Sequence, residues 1–289
     1  MKVAVIGANG QLGTDLVEVF SQKHEVVGLS HRDIEISDVD NVKKVLSGIK
    51  PGLVLCTAAA HNVPKCETEP EAAFKINGVG SLNLAKVSAD LGYKLVQYST
   101  DYVFDGSKMK PYVETDAVNP QNVYAITKYA GEQLVMNYCT KFFVIRVSGI
   151  YGKVPCRAKN NTNFIVNMVN LANTRPEVRV VNDEVLTPTP TLEIAKNTLS
   201  LVETEAYDRY HMTCEGEVSW YEFAKTIFET LKLNTPLYPS SVKDSPVVVK
   251  RPFYSVLENS NLKKAGLNLM PQWKEALISF LKENYAVES

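Results

Sequence analysis

Residues Lys2 to Ile6 form a short apolar run that stops at Gly7, and from there glycine recurs at every third position, at Gly7, Gly10 and Gly13. Behind this loop Leu12, Leu16, Val19 and Phe20 fall at helical spacing. Strand, glycine-rich turn and helix in that order admit few folds. A Cβ at these glycines would obstruct the turn, an approaching phosphate, or the packing of the helix on the strand. The helix start, in turn, presents unpaired N–H groups to an anion. Taken alone the loop could be a structural turn. In its flanking context Gly7, Asn9, Gly10, Gln11 and Leu12 are the expected contacts of a dinucleotide's pyrophosphate.

The same alternation continues along the chain. Glu25 to Leu29 reads as a second strand, Val39 to Ile49 as a helix opened by Ser37 and Asp40, and Leu53 to Thr57 as a third strand. A helix from about Ala72 to Leu91, a strand from Lys94 to Tyr98, a helix after Asn122 and a strand from Phe142 to Val147 follow. Strands that are apolar throughout, alternating with amphipathic helices, imply a parallel sheet covered on both faces. The fold class expected is therefore α/β, a Rossmann-type doubly wound parallel sheet over residues 1–152. A smaller C-terminal α/β lobe over 153–289 carries the substrate, with segments at about 180–215 returning to the sheet. Helices are expected at Phe164 to Ala172, Leu192 to Val202, Ser219 to Leu231 and Trp273 to Glu283, and a β-branched patch at Val247 to Val249. Open parallel sheets bind ligands at the carboxyl ends of their strands, where this lobe would lie.

Composition narrows the function classes. With 31 basic and 32 acidic residues the net charge is -1, so no global field attracts nucleic acid or an anionic membrane. Any anionic ligand must be held locally. No apolar run approaches the roughly 20 residues that span a bilayer. Cys56, Cys66, Cys139, Cys156 and Cys214 show no C-x-x-C pair, and the chain opens on a strand rather than a signal sequence, which reads as reduced thiols in a cytoplasmic protein. The four histidines lack metal-ligand spacing, and no metal is expected.

The tip of the second strand separates the two nicotinamide cofactors, because a carboxylate there bonds the ribose hydroxyls and repels a 2′-phosphate. Here it reads Leu29-Ser30-His31-Arg32, with no acid at position 30. Ser30 and Arg32 favour NADPH, with NADH as the alternative if Asp33 does the carboxylate's work. Glu35 or Asp38 would lie nearer the adenine. Ala58, Ala59 and Ala60 supply small residues where the cofactor would pass.

Tyr124 and Lys128 are one helical turn apart on one face. A phenol with a pKa near 10 donates a proton at neutral pH but is hard to reload, and a neighbouring ammonium stabilises the phenolate. Lys128 would do this while bonding the nicotinamide ribose, so both residues also count as cofactor contacts. Thr100, at the end of the fourth strand, can bond the same carbonyl oxygen. An isolated Y-x-x-x-K arises often by chance. Behind the glycine loop, and with Thr100 in order, it reads as hydride transfer to a carbonyl carbon with Tyr124 protonating the oxygen.

These residues resemble the extended short-chain dehydrogenase/reductases, and within them the dTDP-4-dehydrorhamnose reductase family. The resemblance is carried by Gly7-Ala8-Asn9-Gly10-Gln11-Leu12-Gly13, by Tyr98-Ser99-Thr100-Asp101-Tyr102-Val103-Phe104-Asp105-Gly106, by Asn122-Val123-Tyr124 leading into Lys128-Tyr129-Ala130-Gly131-Glu132, and by Arg251-Pro252 with Ser255-Val256-Leu257. It implies reduction of the 4-keto group of dTDP-4-dehydro-β-L-rhamnose to give dTDP-L-rhamnose, with Thr100, Tyr124 and Lys128 as the catalytic triad. By the same resemblance Asp101 and Tyr102 hold the sugar, and Asn163 and Arg251 the nucleotide part. Two positions depart from the family pattern. Gly149 stands where many members carry a Trp against the sugar ring, and Leu186 stands where the family usually has Gly before the Pro-Thr pair. A reductase or epimerase of another nucleotide sugar, or a non-catalytic NADP-binding regulatory subunit, remain the alternatives, and a homodimer is left open as the assembly.

Overall fold

The apolar runs of the first half become the strands of one parallel sheet. In the computed structural model, which describes residues 1–155, 162–244 and 249–285, β1 (Lys2–Ile6) leads through the glycine loop into α1 (Gln11–Ser21), followed by β2 (Glu25–Leu29), α2 (Val39–Ile49) and β3 (Leu53–Cys56). Two short helices, α3 (Val63–Thr68) and α4 (Pro70–Phe74), run into a π-helical turn at Lys75–Val79 and on into α5 (Gly80–Leu91). β4 (Lys94–Thr100), α6 (Val123–Tyr138) and β5 (Phe142–Val147) complete the alternation.

Three details differ from the sequence expectation. The side chain that caps α2 is Asp38, which accepts from the N–H groups of Asp40 and Asn41, rather than Ser37. The helix expected across Ala72 to Leu91 is interrupted, because the chain widens into the π turn around Asn77-Gly78. β4 runs past Tyr98 to Thr100, whose partner on β5 is Val147.

The second half adds β6 (Ile150–Tyr151), α7 (Phe164–Thr174), β7 (Val178–Val181), β8 (Val185–Leu186), β9 (Thr189–Pro190), α8 (Thr191–Val202) and β10 (Asp208–His211). Then come β11 (Val218–Ser219), α9 (Trp220–Thr230), β12 (Leu237–Ser240), α10 (Ser260–Lys264) and α11 (Trp273–Asn284). Cys156 and most of the patch at Val247 to Val249 lie outside the described residues.

The main sheet runs β10-β5-β4-β3-β1-β2, with every pair parallel. Side chains alternate between its faces. Val3 and Val5 pack toward α1 and α8 with Leu16, Phe20 and Ile194, whereas Ala4 and Ile6 pack toward α2 and α5 with Val42, Leu46 and Leu84. Each fully buried Val, Leu, Ile or Phe side chain among them contributes about 1.5–3 kcal/mol. The second lobe has its own core, with Ile165, Phe223, Ile227, Leu277 and Leu281 at its centre. β1 sends the chain to β2 on one side and β3 lies on the other, so the loops after β1 and β3 diverge and leave a crevice at the carboxyl edge.

Candidate active site

That crevice opens into a cavity of about 560 Å³ lined from both lobes, within the usual range for a small-molecule site. Its floor is the glycine loop. Gly7 has φ +82°, which an L side chain rarely adopts, and a Cβ there would lie 2.5 Å from Thr57 Oγ1. A Cβ on Gly13 would lie 2.1 Å from the Gly7 carbonyl oxygen, so α1 starts pressed onto the loop. Side chains cap α2, α6, α7 and α9 at Asp38, Asn122, Asn163 and Ser219. α1 has no such cap. Gly10, Gln11 and Leu12 at its start line the cavity, where uncapped N–H groups can serve an anion. Gln11 is 8% exposed and its Nε2 has no hydrogen-bond partner among the described residues, an unusual state for a buried amide. A bare helix start, an orphaned amide donor and a backbone with no room for Cβ atoms fit the pyrophosphate of a dinucleotide.

Around this floor lie Gly7, Asn9, Gly10, Gln11, Leu12, Ala58 and Ala59, all lining the cavity. Ala60, Ser30 and Arg32 lie outside its wall. Ser30 is bonded to Asp33 instead, its N–H and hydroxyl both donating to Asp33 Oδ2 at 2.8 and 2.7 Å. These bonds hold the Asp33 carboxyl below its ordinary pKa. The residues the wall does show at this end are His31, Ile34, Glu35 and Ile36.

Thr100, Tyr124 and Lys128 line the same cavity, brought there by the end of β4 and the first turns of α6. Lys128 is 5% exposed and its Nζ donates to the Tyr98 carbonyl at 2.6 Å. Burial pushes its pKa below the ordinary lysine value, opposed by nearby Cys56 and Glu132. An ammonium so confined gains more from a neighbouring phenolate than one in water. Thr100 accepts from the Tyr102 N–H at 3.2 Å and donates to Asp101 Oδ1 at 3.0 Å.

α6 is fixed from below. Arg146 on β5 forms a fully buried pair with Glu132, one turn after Lys128, at 2.7 Å. Asn77, which sequence reasoning did not single out, sits in the π turn and ties the strand end to α6. Its Oδ1 accepts from the Ala60 N–H, and its Nδ2 donates to the Ala60 carbonyl and to Thr127 Oγ1, each at 2.9 Å. A Cβ on Gly131 would lie 2.4 Å from the Asn77 carbonyl oxygen, so helix and π turn touch backbone to backbone. The signal available in the sequence was Asn77-Gly78-Val79-Gly80 inside an otherwise helical segment, where glycines mark close approach and π turns concentrate at functional sites.

On the substrate side Asp101, Tyr102 and Asn163 line the cavity, and Arg251 does not. Tyr102 meets Tyr124 edge to face, with ring centroids 6.2 Å apart. Asp101 is fully buried; desolvation raises its pKa, while bonds from Ser255, Ser148 and Thr100 pull it back. The Asn163 amide is engaged locally, accepting from Val166 N–H and donating to the Gly152 carbonyl. Arg251 is exposed and acts electrostatically on Glu184 and Tyr102. Sequence reasoning missed the aromatic end of the cavity, where Phe164 and Trp220 stack with centroids 4.4 Å apart beside Phe223. Among the described residues no group of His, Cys, Asp and Glu is arranged to hold a metal.

With this geometry in place, the comparisons with known proteins are specific. A family model described as the RmlD substrate binding domain matches residues 1–286. The chain belongs to this family. Within the RmlD family it is similar to the spore coat polysaccharide biosynthesis protein SpsK of Bacillus subtilis, 35% identical with 98% of this chain and 97% of SpsK covered. It is similar also to the dTDP-4-keto-6-deoxy-D-glucose reductase of Streptomyces niveus, at 35% identity over 94% of each chain. The crystal structure of a dTDP-4-dehydrorhamnose reductase from Bacillus anthracis in complex with NADP superimposes with a TM-score of 0.93 at 34% identity, covering 98% of this chain and 99% of that one.

Proposed function

We propose that this chain is an NADPH-dependent reductase of a dTDP-4-keto-6-deoxy sugar, with dTDP-4-dehydro-β-L-rhamnose as substrate and dTDP-L-rhamnose as product. The observation that carries the reading is that Thr100, Tyr124 and Lys128 line one cavity with the uncapped glycine loop. NADPH, bound on that loop, supplies the hydride. The chain's own residues do the rest. Tyr124 gives its phenolic proton to the carbonyl oxygen as the hydride reaches the carbon. Lys128, held on the Tyr98 carbonyl, stabilises the phenolate that remains until it is reprotonated from solvent. Thr100 bonds the same oxygen and fixes its direction. NADH is the alternative donor.

Glu35 or His31 would meet the adenosine end, and Phe164, Trp220 and Phe223 supply the apolar end for the sugar nucleotide. The division near residue 152 belongs to the same proposal, with the β10 segment joining the sheet of the first lobe. So does a cytoplasmic setting: the four described cysteines are buried free thiols, as a reducing compartment allows. The similarity to the Streptomyces niveus reductase favours a second reading, in which the substrate is dTDP-4-keto-6-deoxy-D-glucose. Following NADPH oxidation with each of the two keto sugars tests both: turnover of the rhamnose precursor supports the first, turnover of the glucose form alone the second, and turnover of neither removes the reductase reading.

A further inference from the structure

Gly149 and Leu186, the two positions at which this chain departs from the pattern of the family it resembles, lie against each other. Gly149 has φ +52°, and a Cβ built on it would stand 2.7 Å from Leu186 Cδ1 and 3.1 Å from Pro188 Cα. Both residues line the cavity whose wall also holds Thr100, Asp101, Tyr102 and Tyr124. The Leu186 backbone is fixed, so any adjustment falls to the buried end of its side chain. The residue is 5% exposed, its strand β8 pairs with β11 through Val218, and the adjoining Val185 exchanges backbone hydrogen bonds with Phe253 and Ser255 at 2.8 and 2.9 Å. A side chain at 149 would press on the Leu186 side chain and, more mildly, on the Pro188 backbone. Bulk on this wall can come from one position or the other.

We propose that Gly149 and Leu186 are a coupled specificity-determining pair, in which the sugar's wall is built by the Leu186 side chain in place of any side chain at 149. The proposal rests on the reductase reading for its ligand, a nucleotide-linked deoxy sugar. A branched aliphatic wall offers no ring face to stack on and no hydrogen-bonding group. It suits the apolar edge of a 6-deoxy sugar, whose methyl group buries against carbon. Contacts of this size decide between close substrates, since one methylene in an apolar pocket is worth roughly 10–200-fold.

The test is a double-mutant cycle read by calorimetric titration with dTDP-L-rhamnose and, as control, bare dTDP. Asn is used at 149 because it tolerates left-handed backbone better than other L residues. The wild type is expected to bind the sugar nucleotide more tightly than dTDP. Gly149→Asn loses about tenfold of that preference with dTDP affinity unchanged, and Leu186→Ala loses a similar factor. The double variant recovers relative to Gly149→Asn, departing from additivity by about fivefold or more. Additive losses, equal losses for dTDP, or a wild type that does not prefer the sugar nucleotide would overturn the pair. If Leu186→Ala fails to bind dTDP, Leu186→Val, which also lacks Cδ1, completes the same cycle. Binding does not require turnover, so a failed reductase assay leaves this titration readable.

Discussion

Thr100 directs its one hydroxyl proton at Asp101, 3.0 Å away, while Ser148 donates to the other carboxylate oxygen at 2.8 Å. A hydroxyl that donates to a carboxylate has no proton left for a substrate oxygen. Thr100 can serve the carbonyl once Asp101 carries a proton of its own, and the burial that raises the Asp101 pKa favours that state. This geometry gives Asp101 a role through Thr100 beside the contact with the sugar expected of it. Asp101→Asn, whose amide can donate to Thr100, is expected to keep KM within about twofold and lower kcat by about tenfold or less. Steady-state kinetics decide: a KM effect at constant kcat would place Asp101 on the sugar itself.

The same carboxyl gives a pH signature. Burial lifts its folded pKa above the ordinary aspartate value, so the native state holds the proton more tightly than the unfolded chain. The stability this contributes is complete below the unfolded pKa and is lost as pH rises through the folded one. Urea unfolding of wild type and Asp101→Asn should therefore show the wild type losing ground as pH is raised above about 4, levelling once the carboxyl is ionised. A wild type that gains stability relative to Asp101→Asn as pH rises contradicts the assignment.

Glu132 and Arg146 are both fully buried, and breaking such a pair from one side leaves an uncompensated charge. Glu132→Ala should cost about 3–5 kcal/mol in urea unfolding, and replacing both residues by apolar ones of like size much less. Equal costs for the single and double variants would mean that packing, not charge, holds α6 to β5.

At the adenosine end Asp33 spends one carboxylate oxygen on Ser30, and the neighbouring Arg32 is the guanidinium that would meet a 2′-phosphate. Arg32→Ala should raise KM for NADPH by about tenfold, the scale of one charge-assisted hydrogen bond, and leave NADH within about twofold. Parallel losses for both cofactors would remove Arg32 from the 2′-phosphate.

Much of this architecture is legible in the residues themselves. The apolar strands and the glycine loop specify a parallel sheet because their period and their missing Cβ atoms are local properties. Glu25–Leu29 and Phe142–Val147 emerge with the expected bounds for that reason. What is not local is not legible. The π turn at Asn77 depends on Gly131 of a distant helix meeting its carbonyl. The aromatic end depends on Phe164 and Trp220, 56 positions apart, stacking in a lobe whose helices show no distinct period for it. The sequence also does not show that Ser30 is bonded to Asp33, or that Asn163 caps α7 while lining the cavity. Side chains that look available in sequence are often already bonded to their neighbours.

The most direct test of the account is NADPH oxidation followed at the nicotinamide absorbance with dTDP-4-dehydro-β-L-rhamnose, for wild type and Tyr124→Phe side by side. The account predicts turnover by the wild type and a fall in kcat of about 10² or more in the variant, with NADPH binding unchanged. Full activity in Tyr124→Phe, or no turnover by a wild type that binds both ligands, would contradict it.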